Sequence, residues 1–167
     1  MKFFSKKEPN RLLVLIDFEN LIRNLEPDIS FSEVFQRMIN KLTEIGEIVS
    51  VFVFTPPHLA SIWGENFYQE GLWIINCPKL EKNRKRRRED TVDEILMSFG
   101  KKMIQNMNLT HLCIGTGDRD FSSLYREAKW KRLKVITVSA NERSLSSKLI
   151  SLSDKIILLS SLNGGQE

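Results

Sequence analysis

Ile114-Gly115-Thr116-Gly117-Asp118-Arg119-Asp120-Phe121 is the stretch that decides the fold. An apolar run, Leu112 to Ile114, enters it, and a helical pattern, Phe121 to Trp130, leaves it. This is a strand, a glycine-softened turn and a helix, with two carboxylates at the junction. Such junctions sit at the carboxyl edge of a parallel sheet, where α/β proteins place their ligands. Leu13-Val14-Leu15-Ile16-Asp17-Phe18-Glu19-Asn20 repeats the design near the N-terminus, with a polar group three residues after the strand-end Asp. Strand-end carboxylates gathered without a counter-cation imply a divalent metal.

Outward from these two stretches, the rest of the chain alternates strand and helix. Leu12 to Ile16 is five apolar residues without alternation, the pattern of a central strand buried on both faces. Ser30 and Glu33 have capping-box spacing, after a turn at Glu26-Pro27-Asp28, and open a helix carrying Val34, Phe35, Met38, Ile39, Leu42 and Ile45 on one face. Gly46 stops it. Ile48 to Phe54 is a second strand, closed by Pro56-Pro57. A short helix marked by Leu59, Ile62, Trp63 and Phe67 ends near Gly71, and Leu72 to Ile75 is a third strand.

Thr91 and Glu94 form a second capping box, before a stripe of Val92, Ile95, Leu96, Phe99, Met103 and Met107. His111 to Gly115, Val135 to Val138 and Ile156 to Leu159 complete six strands, with a short helix over Ser144 to Leu152. The spacing predicts a mostly parallel sheet of five to six strands with helices on both faces, a three-layer α/β sandwich. Residues 1–10 read as a loose leader, 11–160 as the domain and 161–167 as a loose tail.

Bulk composition is that of an ordinary globular chain, 41% hydrophobic and 28% charged, and no apolar run reaches the ~18 residues of a membrane span. Cys77 and Cys113 fall in or beside strand-like runs at no metal-ligand spacing, so they read as reduced core thiols of a cytoplasmic protein. Net charge is +4, but Lys79, Lys82, Arg84, Lys85, Arg86, Arg87 and Arg88 crowd one window, and the remainder of the chain is negative. Five successive cations from Arg84 to Arg88 repel one another without a polyanion, and nucleic acid is the expected partner. The ordinary alternative is a solvated loop.

Asp17, Asp93, Asp118 and Asp120 are the candidate metal ligands, with Asn20 and Thr116 in support. If strands one and four are neighbours where the strand order reverses, Asp17 and Asp118 converge, and Mg²⁺ or Mn²⁺ suits an all-oxygen site. Each acid also has a purely structural explanation. Asp120 could cap its helix through the Ser123 backbone, Asp93 favours a helix N-terminus by dipole, and Asp17 could hydrogen-bond its own turn. His58 and His111 have no partner at catalytic spacing, and Trp63, Trp73, Trp130 and Phe67 read as core.

Asp17-Phe18-Glu19-Asn20 resembles the first signature of NYN domains, in the LabA-like branch of the PIN-like nuclease superfamily. Thr116-Gly117-Asp118-Arg119-Asp120-Phe121 resembles their Ser-Gly-Asp-x-Asp-Phe signature. Val92-Asp93 after a basic stretch, and Ser153-Asp154-Lys155-Ile156-Ile157-Leu158-Leu159, resemble the middle and closing motifs. The resemblance implies a Rossmann-like sheet of order 3-2-1-4-5 and an acidic metal site of Asp17, Asp93, Asp118 and Asp120. It also implies ribonuclease activity with Mg²⁺ or Mn²⁺. PIN-like domains often pair, so a homodimer is one expectation. This chain departs from the pattern at Asp90-Thr91, where many members have Lys-Gly, and at Phe99-Gly100, near where many carry another Asp.

The resulting expectation is a cytoplasmic ribonuclease in which water is the nucleophile, since no Ser-His or Cys-His pair is evident. Lys82, Arg84, Lys85, Arg86, Arg87 and Arg88 would grip the RNA backbone. One rival is an RNA-binding or adaptor domain without turnover. Another is a small-molecule phosphohydrolase, which usually has Asp-x-Asp at its first strand, where this chain has Asp17-Phe18-Glu19.

Overall fold

Leu12 to Ile16 form the centre of strand β1 (Arg11–Asp17) in the computed structural model, which describes residues 8–25, 30–81, 88–89 and 91–164. β1 has no polar face. Leu13 and Leu15 join one apolar cluster and Leu12, Val14 and Ile16 the other, all at most 3% exposed. Burying each such side chain is worth roughly 1.5–3 kcal/mol, so the strand that ends in Asp17 is among the most strongly anchored.

After β1 come helices α1 (Phe18–Arg23) and α2 (Phe31–Thr43), strand β2 (Glu47–Thr55), helix α3 (Pro57–Gln69) and strand β3 (Trp73–Asn76). A two-stranded antiparallel ribbon follows, β4 (Leu80–Glu81) and β5 (Arg88–Glu89), then helix α4 (Val92–Asn106) and strand β6 (His111–Gly115). Helix α5 (Ser122–Trp130), strand β7 (Lys134–Ser139), helix α6 (Ser147–Leu152) and strand β8 (Lys155–Leu158) complete the order.

The main sheet runs β3-β2-β1-β6-β7-β8, and every pairing in it is parallel. The chain builds outward from β1 through β2 to β3, then returns to lay β6 on the other side of β1. That reversal opens a crevice beyond the carboxyl ends of β1 and β6, where Ile16 pairs with Gly115. Asp17 and Thr116 are the next residues on each strand. Helices α1 to α3 cover the cluster containing Leu12 and Val14. Helices α4 to α6 cover the one containing Leu13 and Leu15.

All six strands lie where the hydrophobic pattern places them, and the sheet extends the expected order by one strand, β8. Four local expectations fail. Ser30 and Thr91 are the N-cap residues of α2 and α4, but neither side chain makes a cap hydrogen bond. The Thr91 hydroxyl donates instead to the Pro78 carbonyl at 2.6 Å, and Glu33 pairs with Arg37. Trp73 and Trp130 are 66% and 79% exposed rather than core, because β3 is a sheet edge and Trp130 ends α5. Phe67 is fully buried and Trp63 packs edge-on against Phe18.

Cys77 and Cys113 are buried thiols that are not joined in a disulfide. Among the described residues no helix is long and apolar enough to cross a membrane. Residues 161–164, at the start of the stretch read as a loose tail, end a 3₁₀ turn over Leu159–Gly164, where Arg37 donates to the Leu162 carbonyl at 2.6 Å. Residues 1–7 of the leader, the turn at Glu26-Pro27-Asp28, Asp90, and Lys82, Arg84, Lys85, Arg86 and Arg87 lie outside the described residues, as do residues 165–167.

Candidate metal centre

Asp17 ends β1 and is the N-cap of α1. Its Oδ1 accepts from the Asn20 backbone N–H at 3.2 Å. The structural explanation offered for this acid therefore holds, yet it does not exhaust the carboxylate. Oδ2 accepts from the Thr116 hydroxyl at 3.4 Å, across the β1–β6 pair. The group is only 6% exposed. Burial pushes its pKa from 3.8 up to about 7, and repulsion from Asp93 and Glu19 adds to the rise. The Asn20 N–H and the Thr116 hydroxyl oppose it.

Thr116 continues β6, its N–H donating to the Val138 carbonyl at 2.9 Å. Its hydroxyl also accepts from the Asp118 N–H at 3.2 Å, so one buried hydroxyl ties the two strand-end acids together. Asp118 begins a 3₁₀ turn, Arg119–Phe121, and its Oδ1 accepts from the Asp120 N–H at 3.0 Å. The cap at this junction is thus Asp118, not Asp120 as a capping reading of the sequence would have it. Asp120 is exposed.

Asp93 lies in the first turn of α4. One carboxylate oxygen each from Asp93, Asp118 and Asp120 lies within 4.8 Å of the other two. Asp17 is not in that triplet. It lines the same open cleft as Asp93 and Asp118, beside the half-buried Asn20, and is its buried acid. Glu19 and Arg23 also line the cleft and pair with each other, which the sequence reading missed. Their only signal was the spacing of four residues along a helix too short to show a period.

Asn20 accepts from the Gly117 N–H through Oδ1 at 2.9 Å, holding the turn between Thr116 and Asp118. Gly117 is required there by close approach, since a Cβ would overlap the Ser144 carbonyl oxygen. Gly117→Ala is expected to destabilise the protein by about 1–3 kcal/mol through overpacking. A thermal melt checks this, and an unchanged Tm would show that the Ser144 segment yields freely.

Two positions named by the sequence have other surroundings. Asp154, in the closing motif, sits at the opposite, amino-terminal edge of the sheet. Despite some burial, the Val135 N–H at 2.8 Å, Lys129 and Lys134 hold its carboxyl below the usual range. On α4, Phe99, in the Phe99-Gly100 stretch where the chain departs from the expected pattern, packs edge-on against Phe52 and Phe54. His111 bonds the Thr110 hydroxyl through Nδ1 at 2.8 Å, and His58 is exposed. The enclosed apolar hollow under α1 and α2, lined by Phe18, Leu21, Phe31 and Met38 among others, holds no polar group.

Sheet order and an acid-lined crevice at its switch point define a Rossmann-like α/β protein of the PIN/NYN kind. The NYN domain model matches residues 11–160, and the chain belongs to the NYN domain family, within the PIN-like nuclease superfamily. No curated protein matches the chain. Among solved structures it is similar to a protein of unknown function from Vibrio parahaemolyticus, at 16% identity and a TM-score of 0.73, covering 92% of this chain and 95% of that one. It is also similar to MurG of Acinetobacter baumannii, at 8% identity and a TM-score of 0.50, covering 89% of this chain and 40% of that one. At these identities the likeness concerns the fold alone.

Proposed function

We propose that this NYN domain is a metal-dependent ribonuclease that hydrolyses phosphodiester bonds by attack of water. The observation that carries this reading is the convergence of Asp93, Asp118 and Asp120 beside the buried Asp17. These carboxylates suit Mg²⁺ or Mn²⁺: the donors are hard oxygens, three of them lie close together, and the fourth is driven toward its neutral form by burial and by its neighbours. Asp93, Asp118 and Asp120 would hold the ion, with Asp17 beside them.

The bound ion would polarise a phosphoryl oxygen and lower the pKa of water. The chain's own groups supply the rest. In the metal-free chain burial drives the Asp17 carboxyl toward its neutral form, a cost that a bound cation would relieve, and the Thr116 hydroxyl donates to its Oδ2. Asn20 fixes the turn that presents Asp118. Lys82, Arg84, Lys85, Arg86, Arg87 and Arg88 belong to the segment between Leu80 and α4. The Thr91 hydroxyl bonds the Pro78 carbonyl just before Asp93, and the cations between them in sequence are the groups proposed to attract a polyanion.

The test is degradation of single-stranded RNA with Mn²⁺ or with EDTA. Turnover with Mn²⁺ and none with EDTA is expected. Salt-sensitive binding without turnover under any divalent cation would leave the second reading, an RNA-binding domain that does not cut. Phe99 on α4, packed among aromatic rings in the stretch where a further acid is expected of the family pattern, is the observation that favours that second reading.

A further inference from the structure

Three asparagines and a serine from distant parts of the chain close a circuit beside the cleft. The Gly117 N–H donates to Asn20 Oδ1 at 2.9 Å, and Asn24 Nδ2 donates to the Asn20 carbonyl at 2.7 Å. Asn141 Nδ2 donates to the Asn24 carbonyl at 2.8 Å, and the Ser144 N–H donates to Asn141 Oδ1 at 2.9 Å. The Ser144 carbonyl then presses on Gly117, and the Ser146 N–H donates to the Gly117 carbonyl at 3.0 Å. The circuit thus leaves the Gly117 turn through α1, crosses to the loop after β7 and returns to Gly117. Two metal-binding candidates hang from it. Asn20 also donates its N–H to Asp17 Oδ1, and Gly117 immediately precedes Asp118.

We propose that Asn24 and Asn141 are positioning residues for the carboxylates of this cleft, acting through Asn20 and Ser144 on the Gly117 turn. The proposal rests on reading the cleft as a metal centre. Neither residue lines the cleft with Asp17, Asp93 and Asp118. Each instead fixes a backbone carbonyl or N–H that sets where Asp17 and Asp118 stand. Partners of this outer kind matter because a carboxylate free to swing binds an ion less well than one held in place.

Asn141→Asp keeps the acceptor for the Ser144 N–H and replaces the donor to Asn24 by a charged acceptor, which repels the Asn24 carbonyl. Asn24→Ala removes the donor to Asn20. Both variants, their combination and the wild type are compared by amide hydrogen exchange at Gly117, by Mn²⁺ titration calorimetry and by thermal melting. Each single variant is expected to exchange the Gly117 amide about 10-fold faster, the effect of losing one hydrogen bond. Each is expected to bind Mn²⁺ roughly 10-fold more weakly. The double variant is expected to be little worse than the worse single one, because a ring opened once is already open; independent structural defects would instead add. Unchanged Gly117 exchange in both single variants, or additive losses in the double, overturns the proposal. Accelerated Gly117 exchange in a protein whose wild type binds no Mn²⁺ upholds the circuit and overturns the metal centre.

Discussion

Asp118→Asn is expected to slow Mn²⁺-dependent RNA cleavage by on the order of 10²–10³-fold while leaving the fold in place. The two halves of that expectation come from different properties of one carboxylate. Its Oδ1 caps the 3₁₀ turn by accepting from the Asp120 N–H, and an Asn side chain offers the same acceptor. Its Thr116 contact runs through the backbone N–H, which the substitution does not touch. What disappears is the negative charge, in a group that shares a sub-5 Å triangle with Asp93 and Asp120. Asn is therefore a cleaner probe than Ala, which would remove the cap as well. Initial rates on single-stranded RNA, beside a thermal melt, make the comparison. Equal rates for the two proteins would end the catalytic claim.

Asp17→Asn is expected to do something less usual: to raise stability while removing activity. The Asp17 carboxyl titrates near 3.8 in an unfolded chain and at about 7 in the fold. Between those pH values the folded protein holds a proton that the unfolded chain has released, so stability falls as pH rises from about 4 to about 7. Three pKa units correspond to roughly 4 kcal/mol, all of it lost above pH 7 in the metal-free protein. Asn cannot ionise. It keeps an acceptor for the Asn20 N–H and sets an amide against the Thr116 hydroxyl. At pH 8 in EDTA the variant is expected to melt on the order of 10 °C above the wild type, with the gap closing toward pH 4. Equal melting temperatures at pH 8 would show that the buried charge is neutralised in some other way. Retained Mn²⁺-dependent cleavage would remove Asp17 from the centre.

The fold was legible because its strands are unbroken apolar runs. Leu12 to Ile16 carries the signal of a central strand in the letters alone, and strands alternating with helices point to a parallel sheet. Helix α1 was not legible, since six residues with only Phe18 and Leu21 buried give no period. Capping-box letters misled at Thr91 because its hydroxyl had a better partner in Pro78, 13 residues away. Trp73 misled because an edge strand and an inner strand share the same composition until the sheet order is known. The acids could be named from sequence, because each stands at a strand end or a helix start. Their grouping depended on β6 lying beside β1. The asparagine circuit could not be foreseen, since Asn24 and Asn141 are 117 residues apart and meet only through a backbone carbonyl.

β1 is held by β2 on one side and β6 on the other, and is buried along nearly its whole length. Its amides are expected to exchange among the slowest, whereas helix ends open more readily. Asp17 thus belongs to the last part of the protein to let go, and Asp93 to an end that yields early. Under gentle warming the cleft would lose its rim while its floor stayed rigid, and an ion released in that way could rebind without any refolding of the sheet.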